Sequence, residues 1–423
     1  MFGFLCNGGL LGFAFFSRWR FLDYQSEAAW PDGFPAIGWK SIPLALFVTQ
    51  RGFLFALPAG LCLLASWRRR YFKMDRDQPP LPWLGEWLLY VSLPLFHLHT
   101  FLFLSLLLGT WFFVHRPARA RLALFVATAA IPASALVFLV TGHFAGGSVI
   151  GLQAGWMQGS QNFFVFWLSN FGVLPLLAIL LVLVLSRDLN NPWPAAVVFP
   201  AIGVFLICCL VRFAPWEWDN TKLMIWCYLA ILPALWREVI GQFTTVPRAL
   251  ICFLLFFSGF VSLFGGLDAT HTGYPIATRS ELDGVASALR TIPGHDRFIG
   301  YPTYNHPLLL LGRPMALGYT GHAWSHGLEW RQTLHRVETV LEGSDGWRSA
   351  ATALKSRYLF WGREERENYP DSQQPWKSEN ALVAAGEWGE IYDLLTPLTP
   401  ATVQEVSFPP SSTAEPSPEN SGR

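Results

Sequence analysis

Long apolar runs broken by short polar segments fill roughly the first two thirds of the chain. Residues 122–140, 163–185, 195–210, 223–236 and 250–267 are almost unbroken Leu, Phe, Val, Ile and Ala. A helix rises 1.5 Å per residue, so about 20 apolar residues cross a bilayer, and each run reads as a membrane helix. Residues 41–67 are apolar except for Gln50-Arg51. A cation in mid-span is costly, so the pattern predicts an interfacial segment over 43–49 and a crossing over 52–67. Residues 1–17 are apolar from the first position, with no basic start and no small-residue cleavage site, which predicts a retained, short membrane helix rather than a signal peptide. Asn7-Gly8-Gly9 within it points either to close packing or to a start inside a longer ancestral chain.

Residues 84–114 are too long for one upright span, and Pro94 divides them, with His97 and His99 just beyond. Their flanks are basic on both sides: Trp67-Arg68-Arg69-Arg70 upstream and His115-Arg116-Pro117-Ala118-Arg119 downstream. Basic flanks belong on the cytoplasmic side, so the stretch is expected to be a hairpin of two short helices or a re-entrant pair. Alternating the remaining spans puts every Arg-rich loop inside. It puts the 18–40 loop, the Gly-rich 142–162 loop, residues 215–222 and everything after 267 outside. About seven to nine membrane segments are expected over 1–267.

From about residue 268 the pattern becomes that of a soluble domain. Leu282, Val285, Ala286 and Leu289 lie on one stripe of a helix over 280–291. Residues 297–301 and 358–361 read as short buried strands, and 328–341 and 347–356 as helices between them. Residues 268–396 are thus expected to form a small α/β domain. The Pro-, Ser-, Thr- and Glu-rich residues 397–423 have little to bury and are expected to be disordered.

Composition agrees. The chain is 52% hydrophobic and 14% charged, with 20 Trp and 35 Phe, too apolar and aromatic for an ordinary soluble core. A net charge of +1 gives no basis for a nucleic-acid partner. Cys6, Cys62, Cys208, Cys209, Cys227 and Cys252 all lie in apolar runs and read as small hydrophobes. The expected class is an α-helical polytopic membrane protein with a small C-terminal α/β extracytoplasmic domain.

Chemistry concentrates in Pro215-Trp216-Glu217-Trp218-Asp219-Asn220-Thr221-Lys222, between two apolar runs. A plain turn needs Gly, Pro, Asn or Ser, not two acids and a base. The segment is therefore either a functional site or a tight, charge-neutral interfacial turn whose indoles anchor it in the headgroups. In the first reading Asp219 and Glu217 are candidate catalytic carboxylates and ligands for a divalent cation, Mg or Mn. Lys222 or Arg212 would hold a phosphate, with Trp216 and Trp218 lining the site. Asp23 and Asp32 in the first outer loop are further candidate acids. Arg51 either grips a lipid phosphate or snorkels to the interface. His97 and His99, two residues apart, diverge on a helix and read as structural hydrogen-bonding groups. His322 and His326 have i, i+4 spacing but lack the Glu of a zincin. Tyr304-Asn305-His306-Pro307 and Gly312-Arg313 resemble a ligand-facing loop after a strand, which turn chemistry also explains.

Together with Gly318-Tyr319-Thr320-Gly321 and Tyr358-Leu359-Phe360-Trp361-Gly362, these motifs resemble the C-terminal part of bacterial membrane proteins related to the GT-C superfamily of glycosyltransferases. The resemblance covers about the last half of the chain. It implies a bacterial cytoplasmic-membrane enzyme that transfers a sugar from a polyprenyl-phosphate carrier on the outer face, with His306 near the substrate. GT-C enzymes carry their catalytic acid in a long first outer loop, whereas the loop here is short and Asp23 and Asp32 form no acidic pair. The rival readings are a membrane transporter and a non-catalytic scaffold with an outer binding domain.

Overall fold

The computed structural model describes residues 1–31, 35–74, 77–140, 150–187, 192–214, 216–268, 276–325 and 328–397. The chain divides into two compact units, Met1–Tyr274 with Gly321–Glu329, and Pro275–Thr320 with Trp330–Arg423. It is mostly helical, with a small sheet toward the C-terminus. Three helical stretches are long and apolar enough to cross a membrane: Arg116–Val140, Glu217–Gln242 and Thr245–Leu267. A fourth joins them if Phe163–Phe171 and Leu174–Leu185, bent by 80°, count as one span.

The principal helices of the first unit are α1 (Arg51–Phe72), α2 (Trp83–Phe96), α3 (Leu98–Val114), α4 (Arg119–Val140) and α5 (Phe163–Phe171). They continue as α6 (Leu174–Leu185), α7 (Pro192–Cys208), α8 (Thr221–Glu238) and α9 (Thr245–Leu267). Helix α1 starts at Arg51 and winds through Arg69 and Arg70 until Lys73 takes a left-handed conformation. The arginines therefore form the last turn of the helix, where cations suit its dipole, instead of following its end.

Helices α2 and α3 are antiparallel. The Tyr90 hydroxyl is 2.8 Å from that of Ser105, and the Tyr90 and Phe101 rings lie 5.0 Å apart. The break falls at His97 (φ −160°, ψ 98°), beyond Pro94 rather than at it. A further buried tie, absent from the sequence reading, joins α1 to α2. Glu86 accepts from Arg70 Nε at 2.8 Å and from the Ser66 hydroxyl.

Contacts sort the helix termini into two ends. At one, the Phe72 ring stacks on His115 (4.4 Å) and packs on Trp111 and Trp193, joining the C-termini of α1 and α3 to the N-terminus of α7. At the other, Phe53 packs on His97 and Trp226, joining the N-terminus of α1, the α2–α3 turn and the first turns of α8. Helices α3 and α8 therefore run side by side in the same direction.

The N-terminal segment is not the single helix expected. It forms two four-residue helices, Phe2–Leu5 and Phe15–Arg18, with a 3-10 turn, Leu11–Ala14, between them. The reason is close backbone packing at Asn7-Gly8-Gly9. A Cβ on Gly9 would lie 2.2 Å from the Ser169 carbonyl oxygen, and one on Gly259 2.2 Å from the Cys6 backbone. Continuous helix would leave no room for either approach.

In the second unit a four-stranded sheet has the order β3-β4-β6-β5, with β3 at Phe298–Ile299, β4 at Tyr358–Gly362, β5 at Asn380–Gly386 and β6 at Gly389–Pro397. Strand β3 is parallel to β4, and the β4–β6 and β5–β6 pairs are antiparallel. Helices Arg279–Ala288, Arg331–Glu342 and Trp347–Ala353 accompany it. The β5–β6 hairpin was not foreseen. Residues 398–423 lie outside the described residues.

Candidate functional site

The segment after α7 is closed by one amide. Asn220 Nδ2 donates to the carbonyls of Cys208 (2.8 Å) and Val211 (2.7 Å), and its Oδ1 accepts from the Phe213 N–H at 3.0 Å. Val211–Arg212 (β2) then pairs antiparallel with Gly151–Leu152 (β1). A 3-10 turn, Glu217–Asn220, leads directly into α8. Asp219 and Lys222 thereby fall one helical turn apart, and Lys222 Nζ meets Asp219 Oδ1 at 3.1 Å. Both side chains are mostly buried, at 12% and 8% exposure for lysine and aspartate.

Two other members of the segment hold the fold. Trp218 is buried and its indole N–H donates to the Gly38 carbonyl at 3.0 Å. The expected substrate-facing position of Trp218 is thus corrected: its face is packed and its only donor is engaged. Glu217 accepts from the Met157 N–H at 3.2 Å, and its backbone carbonyl accepts from the Trp156 indole at 3.1 Å. Trp216 is the exposed indole, 46% accessible, with its ring 5.2 Å from that of Trp218. Glu217 and Asp219 do not converge on one point. Among the described residues no group of three or more His, Cys, Asp or Glu is placed to hold a metal ion. A carboxylate neutralised by an ammonium and another bonded to a backbone N–H are a poor donor set for a hard cation, which takes six or more oxygens.

The loop under Trp218 is buried yet irregular, and three amide side chains satisfy its backbone. Asn170 Oδ1 accepts from the N–H groups of Gly38 and Trp39, both at 2.9 Å, and its Nδ2 donates to the Ala36 carbonyl at 3.1 Å. Asn7 donates to Lys40 O (2.9 Å) and accepts from Ile42 N (2.8 Å), while Gln25 donates to Trp39 O at 3.0 Å. Buried backbone groups need such partners. Lys40, held 3.6 Å from Glu27, lies 6.0 Å from the Trp218 ring. Asp23 sits in the same region. Burial raises its carboxyl to about 6, against the opposing pull of the Gln25 N–H and the Lys40 charge. Asp32 lies outside the described residues.

The α2–α3 turn adds groups that sequence spacing had set apart from this segment. Trp226, one turn after Lys222 on α8, donates its indole N–H to Thr100 Oγ1 at 2.7 Å. Thr100 lies 2.8 Å from His97 Nδ1. The His97 and His99 rings are 5.6 Å apart. Arg51 is exposed at the head of α1. The next residue, Gly52, is so close to α2 that a Cβ there would lie 1.9 Å from the Phe96 carbonyl oxygen. Arg51, His97, His99, Lys222 and Asp219 thus gather at one end of the bundle. The signal for this lay in helix parity, which puts the α2–α3 tip level with the start of α8.

Two candidates remain. Arg212 is half-buried in β2, and its Nε has no hydrogen-bond partner among the described residues. His306 lies in the second unit and is fully buried. Its Nδ1 accepts from the Leu308 N–H (3.2 Å), and its Nε2 lies 2.9 Å from Glu365 Oε1. Both ring nitrogens are used internally, so His306 caps a helix and anchors Glu365 rather than facing a ligand. Burial raises the Glu365 pKa, but the His306 charge and hydrogen bonds from His306, Tyr301 and Gly362 outweigh it and leave the carboxyl below its usual range. His322 lies in the short helix Thr320–Ser325, and His326 is outside the described residues.

An apolar cavity of about 1170 Å³ runs between the N-terminal segment, α1, α8 and α9, lined by Phe4, Phe47, Leu57, Leu229, Trp236 and Phe256 among others. Comparison with protein-family models, with characterised proteins and with solved structures finds no match to this chain.

Proposed function

We propose that the chain is a multi-pass protein of a bacterial cytoplasmic membrane that transfers a sugar from a lipid-phosphate carrier at its outer face, with the C-terminal domain also outside. The observation that carries this reading is the buried Asp219–Lys222 pair at the polar end of an otherwise apolar helix bundle. In the proposed reaction the acceptor hydroxyl oxygen attacks the anomeric carbon and its proton passes to the Asp219 carboxylate. The bond from that carbon to the phosphate oxygen breaks, and the phosphate leaves with the electron pair. Lys222 and Arg51 offset the charge that builds on the leaving phosphate. The apolar cavity beside α1 and α8 suits the hydrocarbon part of such a carrier. No step is routed through a metal ion.

The test is transfer of labelled sugar from a polyprenyl-phosphate donor by the purified protein in lipid. Asp219→Ala should abolish transfer while membrane insertion stays normal; undiminished transfer removes Asp219 from the mechanism. A second reading, transport, draws on the helix break at the buried His97 and on the break at Gly172 between Phe163–Phe171 and Leu174–Leu185. Uptake into reconstituted vesicles without a covalent product would favour it.

A further inference from the structure

The environment of His97 fixes which ring nitrogen carries the proton. An indole N–H only donates, so the 2.7 Å contact from Trp226 makes Thr100 Oγ1 an acceptor. The Thr100 hydroxyl proton is then free to point at His97 Nδ1, 2.8 Å away. The backbone N–H of Thr100, also purely a donor, is 3.2 Å from the same nitrogen. Nδ1 therefore accepts and carries no proton, and the neutral ring holds its proton on Nε2. That Nε2 is buried and has no hydrogen-bond partner among the described residues, and His97 as a whole is 7% exposed. A buried donor left unmatched is an expensive arrangement for a fold to keep without use.

What stands beside it is positive. His97 is one turn before Thr100 on one helix, and Lys222 is one turn before Trp226 on the other. Because α3 and α8 run in the same direction and touch at Thr100, Phe103 and Trp226, the first turns carrying His97 and Lys222 lie next to each other. Both helix N-termini present partial positive charge there, Arg51 heads the adjoining α1, and Asp219 is the acid paired with Lys222. A cation has no reason to enter such a set. A group with several anionic acceptor oxygens does.

The geometry points to a phosphoryl-binding position in which the Trp226–Thr100–His97 chain presents His97 Nε2–H, beside Lys222, to an oxygen of a bound phosphate. His97 would contact the ligand; Thr100 and Trp226 act through it as positioning residues. The inference rests on the proposal that a phosphorylated group reaches this end of the bundle, but it concerns binding and not sugar transfer. The phosphate can come from a lipid headgroup or from a soluble ester, and the chemistry of recognition is shared.

The test uses the full chain in lipid nanodiscs with ¹⁵N-labelled histidine. Ring-nitrogen spectra are recorded alone, with inorganic phosphate, and with dodecyl phosphate against dodecanol as control. The expected result is a His97 ring in the Nε2–H form whose Nε2 signal moves with at least one phosphate and not with dodecanol. Movement with dodecyl phosphate alone assigns the site to a lipid-borne phosphate, and movement with inorganic phosphate assigns it to a soluble one. Thr100→Val should mix the two ring forms and weaken phosphate binding about tenfold, Thr100→Ser should restore both, and Lys222→Met should weaken binding without changing the ring form. A ring protonated on Nδ1, or an Nε2 signal that neither phosphate moves, overturns the inference. Phosphate-dependent shifts in a protein that transfers no sugar would keep it and discard the transferase reading.

Discussion

The Trp218 indole N–H donates to the carbonyl of Gly38 at 3.0 Å, across 180 residues of chain. It fastens the turn that carries Asp219 to a loop with no regular secondary structure. The orientation of Asp219 therefore depends on that loop as well as on α8. Trp218→Phe keeps the ring and removes the donor. It should lower stability by about 1–3 kcal/mol, since the Gly38 carbonyl is left buried and unpaired. Thermal unfolding in detergent checks this; an unchanged midpoint would mean that water replaces the indole.

Lys222→Met leaves the Asp219 carboxylate buried without its counter-charge. Removing one partner of a buried pair costs about 3–5 kcal/mol, whereas replacing both by apolar groups is often near neutral. Lys222→Met combined with Asp219→Leu should thus be more stable than Lys222→Met alone. Denaturation of the three proteins in one detergent settles the order.

Glu365 supplies a pH dependence that is separate from the bundle. Its folded pKa lies below the ordinary value because His306 and two backbone N–H groups hold the charged form. A depressed carboxylate contributes stability that is fully present above the unfolded pKa, about 4.3. That contribution is lost as pH falls through the lower folded value. Amide exchange of strand β4 in the intact protein should speed up on acidification below that point. Glu365→Gln should exchange faster at neutral pH and lose most of this acid sensitivity.

The proposed topology has residues 220 and 280 on the same, outer side of the membrane. Reporter fusions at Asn220 and Ser280 should both score as extracytoplasmic. Opposite scores would rule out the proposed sidedness of the C-terminal domain.

Much of the architecture was written in hydropathy. The runs that became α4, α8 and α9 are near-uniformly apolar, and the two basic flanks together with Pro94 pointed to a stretch folded back on itself, as the antiparallel α2 and α3 are. The sequence misled where backbone contact rules. Residues 1–17 look like one helix until Gly9 and Gly259 bring main chains together, and hydropathy carries no record of that. The β5–β6 hairpin escaped because β5 is rich in Ala with Val383 as its one β-branched residue, and pairing with β6, itself paired to β4, decides the matter. At the site, Asp219 and Lys222 were legible because they are neighbours in sequence. The roles of Asn7, Gln25 and Asn170 were not, since a single buried amide looks the same whether it braces a distant loop or faces lipid. His97 was rightly read as a hydrogen-bonding residue, but its proximity to Lys222 needed the third dimension.

Gly52 touches the main chain of Phe96 with no side chain between them. The head of α1 and the α2–α3 tip thus meet backbone to backbone. A side chain at position 52 would meet the Phe96 carbonyl oxygen and push the start of α1, with Arg51, away from the turn that carries His97.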